Sequence, residues 1–365
     1  MEAADPGIEA FQKGDFDRAE ALYKGGTDLD SRLLMARLHL LRNRPTQAVA
    51  LLHPLAAPYE PFTRKSMPTK YDDIQLHGRV LQELCQAYVR ADDYFNAAQV
   101  SWALGDNILS KKYAALANTV SYLTTPDWTE SSVGLEGIDP LPHVLMSVNG
   151  RTGLFLIDTS IDEIVIDRDF AKDAGLTGHG LRTTNYNVSY DESVADAVAL
   201  GKLAVKSVPV HLGRLAPISK LRADGSIGLS FLMHFDFTLD YRRQRLTLRR
   251  AGTPLPGGLP AVLAGDRYLL VQGSVNGKAG SWMAVNTAMQ NVVVAASERV
   301  AAAVDPVREI AAGALRLSQP PLDAASFPTG LDGGFGFPVS FMLAHHALRD
   351  RSVRLEPRSM RILIE

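Results

Sequence analysis

The spacing of apolar positions changes character once along the chain. Up to about residue 124, small and apolar residues recur at intervals of three and four. Gly7, Ala10, Phe11 and Gly14 lead into Gly14-Asp15-Phe16, and Ala19, Leu22 and Tyr23 follow. That spacing lays one apolar stripe on each of two helices, and the Gly-Asp pair predicts the turn between them. The arrangement returns twice. It runs from Leu33, Ala36 and Leu38 through Arg44 to Ala48, Leu51 and Leu52, and from Leu84, Ala87 and Tyr88 through Asp92-Asp93-Tyr94 to Ala97 and Ala98. Residues 1–124 are therefore predicted to form helical hairpins. Beyond them, short runs of Val, Leu, Ile and Phe between Gly and Pro clusters predict strands. Turn-rich stretches at 125–140 and 251–265 read as linkers. They leave two strand-rich portions of similar length, 141–250 and 266–365.

The helical front resembles tetratricopeptide repeats at these small-residue positions. Its equivalent alanines Ala19, Ala48 and Ala97 are unevenly spaced, however, so Pro54 to Pro68 reads as an insertion or an irregular connection. An ordinary helical bundle is the alternative. In either case helical hairpins without catalytic residue types serve more often as docking surfaces than as reaction sites.

The two strand-rich portions align with each other. Ser147-Val-Asn-Gly150 through Asp158-Thr159-Ser160 corresponds to Ser274-Val-Asn-Gly277 through Asn286-Thr287-Ala288, with one extra residue in the second copy. Asp224 to Leu229 is matched to Asp332 to Phe337, and Phe237 to Leu248 to Val353 to Ile364. Three correspondences in the same order point to an internal duplication of a β-rich lobe.

The first copy resembles the aspartic peptidases, in particular the bacterial retropepsin-like group. The resemblance rests on Phe155-Leu-Ile-Asp158-Thr159-Ser160, on Ser226-Ile227-Gly228-Leu229 with Phe231-Leu232, and on Phe237-Thr238-Leu239-Asp240-Tyr241. It covers residues 141–250 well and 266–365 more weakly. It implies a mainly-β, two-lobed aspartic-peptidase-like domain with a cleft between the lobes, which the N-terminal α-helical repeat-like domain precedes. In that family each lobe supplies one aspartate. Two carboxylates held together share a proton, so one draws a proton from water while the other donates to the substrate carbonyl. The resemblance makes Asp158 the first aspartate and Thr159 the residue whose hydroxyl ties the two loops, with Ser160 in place of the usual glycine.

In the second copy Asn286 stands where the partner aspartate belongs. An amide can neither be the ionised base nor supply the shared acidic proton. Thr287 keeps the bracing hydroxyl, while Ala288 and Met289 loosen the match. Three readings stay open: a pseudo-enzyme, a site built from Asp158 of two chains, or a native Asp at 286 changed to Asn. The substrate-binding positions implied are Ser160, Ala288, Gly228 and its matched Gly336, with Tyr186 and Tyr190 on a flap expected at about Thr183 to Ala199. Those tyrosines read equally well as exposed residues of an ordinary hairpin.

Composition narrows the rest. Lys and Arg number 38 against 40 Asp and Glu, a net charge of -2, which offers no general attraction to nucleic acid. No apolar run is long enough for a membrane span. The one cysteine, Cys85, lies in an apolar helical pattern and reads as a buried thiol. His345-His346 lacks a carboxylate cluster, so no metal and no cofactor is expected. Asp162, Glu163 and Asp167 follow Asp158 closely, and strand alternation places most of them on a solvated face. The expected partner is extended polypeptide, since such a cleft can pair with a peptide backbone as a sheet edge does; a further protein partner is expected on the helical front. No export signal is present as written. The resemblance leans towards the periplasm, the cytoplasm being the alternative.

Overall fold

The computed structural model describes residues 5–57, 70–183, 189–216, 221–303 and 306–365. Among the described residues seven helices come first: α1 (Pro6–Gln12), α2 (Phe16–Tyr23), α3 (Leu29–Leu41), α4 (Pro45–Ala56), α5 (Tyr71–Arg90), α6 (Tyr94–Ala103) and α7 (Asn107–Leu116). Five begin at an aspartate, Asp5, Asp15, Asp28, Asp93 or Asp106, whose carboxylate accepts the otherwise orphaned N–H groups of the first turn. Consecutive helices pack together. Ala36, Ala48, Leu52, Leu84, Ala87, Tyr88 and Ala97 form a common core, the small residues allowing close helix approach. Cys85 lies in that core beside the Ser101 hydroxyl, and burial pushes its thiol up to about 11. Part of the Pro54 to Pro68 stretch lies outside the described residues.

The helical front is not a detached module. Phe11 and Phe16 pack on Trp282 and Phe337 of the second strand-rich portion, and the Trp282 indole N–H donates to the Gly14 carbonyl at 3.1 Å.

The first strand-rich portion contains β1 (Leu123–Thr124), β2 (Glu130–Gly134), β3 (His143–Val148), β4 (Arg151–Ile157), β5 (Ile164–Asp167), α8 (Arg168–Asp173), β6 (Leu181–Thr183), β7 (Ser189–Leu200), β8 (Leu203–Gly213), β9 (Gly225–Ile227), α9 (Leu229–Leu232), β10 (Phe235–Asp240) and β11 (Arg245–Arg250). Strand β4 lies between antiparallel β3 and parallel β9, while β5 runs antiparallel to β9 and parallel to β8. The ring closes because β7 pairs with both β3 and β8.

The second portion contains β12 (Leu259–Ala264), β13 (Tyr268–Val275), β14 (Lys278–Val285), β15 (Val294–Ala296), α10 (Glu298–Ala301), β16 (Glu309–Ala312), β17 (Leu315–Ser318), β18 (Leu322–Asp323), β19 (Phe341–Leu343), α11 (His345–Leu348), β20 (Ser352–Glu356) and β21 (Arg361–Ile364). It repeats the first connectivity. Strand β14 is parallel to β19, and β15 is antiparallel to β19 and parallel to β18. The closing hairpins agree residue for residue, Asp240 opposite Arg245 in one and Glu356 opposite Arg361 in the other. They meet side by side through β10 and β20, so one sheet in the order β12-β21-β20-β10-β11-β2 joins the halves about a pseudo-twofold.

Three details differ from the sequence reading. Both stretches read as linkers carry a strand of that joining sheet: β2 pairs with β11, and β12 with β21. The extra residue of the second copy is Gly280, skipped in the β13–β14 ladder where Gly273 opposes Ser281 and Ser274 opposes Ala279; its φ of 100° is one that glycine adopts without strain. The counterpart of Gly225 to Gly228 is Phe341 to Ala344, not the glycine-rich run at 332–336. Ile157 lies opposite Ile227 in the first lobe, and Val285 opposite Leu343 in the second.

Candidate active site

Each half presents the same loop at the end of its central strand. Asp158 follows β4 and Asn286 follows β14. The Asp158 N–H donates to the Ile227 carbonyl at 3.1 Å, and the Asn286 N–H to the Leu343 carbonyl at 3.0 Å. In the first loop the Ser160 N–H donates to the Asp158 carboxylate at 2.8 Å. In the second the Ala288 N–H donates to the Asn286 side-chain oxygen at 2.9 Å. Asn286 thus occupies the symmetric equivalent of Asp158.

The two loops are fastened to each other by their threonines. The Thr159 hydroxyl donates to the Val285 carbonyl at 2.8 Å, and the Thr287 hydroxyl to the Ile157 carbonyl at 2.6 Å. In return the Thr287 N–H donates to the Thr159 hydroxyl at 3.2 Å, and the Thr159 N–H to the Thr287 hydroxyl at 3.1 Å. Both threonines are fully buried, so these crossed bonds are sheltered from water and a lost partner would stay unsatisfied. The loops that bear Asp158 and Asn286 belong to one chain and are held together within it.

Their chemistry differs. Burial raises the Asp158 carboxyl above the usual carboxylate range, against the opposing effects of the Ser160 hydroxyl and N–H and the Arg267 charge. The Ser160 hydroxyl donates to Asp158 at 2.6 Å, a bond that the usual glycine could not make. Asn286 is buried and its amide nitrogen faces the Met342 sulfur at 3.3 Å, a weak acceptor. The half-buried Asp158 is the one acid at the centre of the pair.

Residues 144–231 match the family model for aspartyl proteases. That stretch holds Asp158, Thr159, Ser160 and Gly228 but ends before the second loop. The match supports an aspartic-peptidase relationship for the first lobe, and the second lobe, outside the matched residues, repeats the first lobe's connectivity. Among solved structures, a retropepsin-like aspartic protease from Rickettsia conorii is similar, at 21% identity over 35% of this chain and 92% of that chain, with a TM-score of 0.26. The comparison with curated proteins gives no match.

The remaining expected positions divide. Gly228 packs its Cα against the backbone of Asp162 and Glu163, where a Cβ would meet their carbonyl oxygens at 2.1–2.4 Å. It therefore shapes the Asp158 loop from beneath. Gly336 does not belong to the site: it lies against Phe11 of α1, in the contact between the helical front and the second lobe. The sequence match failed there because the true counterpart of Gly228 is Ala344, which has lost the glycine mark. A hairpin does occupy the flap position, with β6 paired to β7. Tyr190 stacks on His211 with centroids 5.2 Å apart. Tyr186 lies outside the described residues. In the second lobe, among the described residues, the short β16–β17 hairpin matches only the far end of β7 and the start of β8.

A buried charge cluster beside the loop escaped the sequence reading. Glu163 is buried, not on a solvated face, because its charge is met from another domain. Lys112 of α7, itself fully buried, donates to the carboxylates of Glu163 and, at 2.6 Å, Glu192 of β7. His211 of β8 faces Glu192 at 3.0 Å and Asp162 at 3.4 Å. Burial opposes the imidazolium, yet Glu163, Asp162 and Glu192 raise His211 to about 10. Burial likewise opposes the Asp162 charge, but the His211 hydrogen bond and charge hold that carboxyl well below its usual range. Glu163, Glu192 and His211 are the one grouping of metal-ligand atoms within 4.8 Å of each other among the described residues; here the Lys112 ammonium supplies the positive charge. His345, by contrast, packs under Tyr241 with ring centroids 5.5 Å apart.

Arg267 was also missed. Its guanidinium donates to the Ser160 carbonyl at 3.3 Å. The preceding Asp266 lines a cavity of about 360 Å³ between the helical front and both lobes, along with Asp162, Glu163, His211, Arg90 and Tyr122. Nothing local in the sequence ties an Asp-Arg pair at 266–267 to a loop at 158.

Proposed function

We propose that this protein binds extended polypeptide in the cleft above the Asp158 and Asn286 loops and has little or no peptidase activity, because Asn286 replaces the second acid. The observation that carries the reading is the crossed Thr159–Thr287 brace around an Asp/Asn pair. It supports a cleft whose backbone scaffold is intact while its proton-sharing pair is reduced to one acid. Removing one member of a catalytic unit usually abolishes most of its rate advantage and leaves binding contacts in place. The brace also speaks against a site made from Asp158 of two chains, since the partner place is already filled by Thr287 of the same chain.

In this reading the helical front, repeat-like in its small-residue pattern, meets a second protein, and the location is periplasmic; cell fractionation of the native source tests the latter. The functional test is an unbiased peptide-library digest from about pH 3 to 8 on the unmodified chain, on Asn286→Asp and on Asp158→Ala, with peptide binding measured in parallel. We expect cleavage only from Asn286→Asp, and binding by all three. Cleavage by the unmodified chain that disappears in Asp158→Ala would overturn the inactive reading. A rate rising with the square of protein concentration would replace it with a two-chain site.

A further inference from the structure

We propose that Lys112 of α7 is a positioning residue that makes the helical front a working part of the cleft, holding the Asp158 loop and the flap hairpin in one arrangement. The inference rests on the reading of this cleft as the binding site.

One helix grips three separate segments. At its N-terminus the Asp106 carboxylate accepts from Arg182 of β6 at 3.0 Å while capping the Leu109 N–H. Further along, the Lys112 ammonium bonds Glu163, five residues after Asp158, and Glu192 of β7. Arg182 closes the circuit with a second bond to Glu192 at 3.1 Å. Both strands of the flap hairpin and the loop after Asp158 therefore converge on α7. His211 ties Glu192 to Asp162 from the β8 side.

Apolar contacts reinforce the grip. Ile108 lies against Gly180 just before β6, and Val194 of β7 packs against the helical core. The cations Lys112, Arg182 and His211 face the anions Asp106, Asp162, Glu163 and Glu192, so every buried charge depends on another element for its partner. Removing one partner of a buried pair leaves an uncompensated charge, which the fold relieves by separating the elements or admitting water. Separation here means movement of the flap and of the loop next to Asp158. An ion cluster that merely joined two domains would not need to reach the loop beside the Asp158 carboxylate and both flap strands at once.

The test compares the full chain with Lys112→Met, which keeps the length and loses the charge, and Lys112→Arg, which keeps the charge. Amide hydrogen exchange is read without any peptide, and affinity for a peptide selected on the unmodified chain is read separately. In Lys112→Met, exchange should rise about tenfold or more in residues 158–163, 181–183 and 189–193 while β20 and β21 keep their protection; Lys112→Arg should restore most of it. Peptide affinity should fall about tenfold in Lys112→Met. If Lys112→Met does not fold, the same measurement is made on Lys112→Met combined with Glu163→Gln and Glu192→Gln, which removes the stranded charges; local exchange should still rise. Unchanged exchange, or an equal rise in all elements, overturns the positioning role. If local exchange rises as expected but no peptide binds even the unmodified chain, the positioning role stands and the peptide-binding reading fails.

Discussion

Replacing Thr159 by Val keeps the shape of the side chain and removes only its hydroxyl, which makes the crossed brace open to a quantitative test. Two bonds vanish: donation to the Val285 carbonyl at 2.8 Å and acceptance from the Thr287 N–H at 3.2 Å. Thr159, Thr287 and Val285 are all buried, so water cannot readily take over. An orphaned buried donor or acceptor costs about 1–3 kcal/mol, giving about 2–6 kcal/mol for the two; we expect about 3 kcal/mol after some relaxation. Thr287→Val removes a different pair, to the Ile157 carbonyl and the Thr159 N–H, so its cost should be similar. The double variant should depart from the sum, since each hydroxyl accepts from the other threonine's N–H and the two share one network. Thr159→Ser, which retains the hydroxyl, should lose less than about 1 kcal/mol. The assay is urea unfolding followed by tryptophan fluorescence, with Trp128 reporting from the first lobe and Trp282 from the second. Several transitions are expected in a protein of this organisation, so the midpoint and slope of the lobe transition are compared, not a single global value. A shift below about 0.5 kcal/mol in Thr159→Val would refute the argument that this brace holds the lobes in register.

Two further outcomes follow from the packing. His345 is buried, and burial followed by the neighbouring His346 pushes its imidazole down to about 4. The unfolded chain therefore takes up the proton first on acidification. The stability from keeping His345 neutral is present above about pH 6.5 and is lost as the pH falls towards 4. His345→Leu, the residue its counterpart Leu229 already supplies, should flatten that acid limb and gain about 2 kcal/mol near pH 4.5; an unchanged pH profile of urea midpoints would contradict this. Gly14→Ala should loosen α1 and α2 from the second lobe, because Gly14 has a φ of 75° and a Cβ there would meet the Trp282 ring nitrogen at 2.5 Å. We expect a loss of about 2 kcal/mol and a red shift of Trp282 emission; a native spectrum with native stability would count against the contact.

The parts of this protein legible in its sequence are those written in short, local patterns. The helical stripe around Ala19, Ala48 and Ala97 follows from helix periodicity, and the closing hairpins at 237–248 and 353–364 from two similar runs of alternating residues. Asp158-Thr159-Ser160 and Asn286-Thr287-Ala288 could be matched because each ends an apolar strand of nearly equal length. Where the second copy kept its contacts but lost its marks, local reading failed. Ala344 stands where Gly228 stands without the glycine that marks the first copy, and the glycines at 332–336 lie elsewhere. Strands β2 and β12 were hidden among prolines and glycines because their pairing comes from hairpins far along the chain. The buried carboxylates were the largest omission. Strand alternation assigns a charged side chain to water, and it can be buried only if an opposite charge arrives. For Glu163 that charge is Lys112, on a helix in a different domain, so only the assembled structure could decide that the loop beside Asp158 is anchored from outside its own lobe.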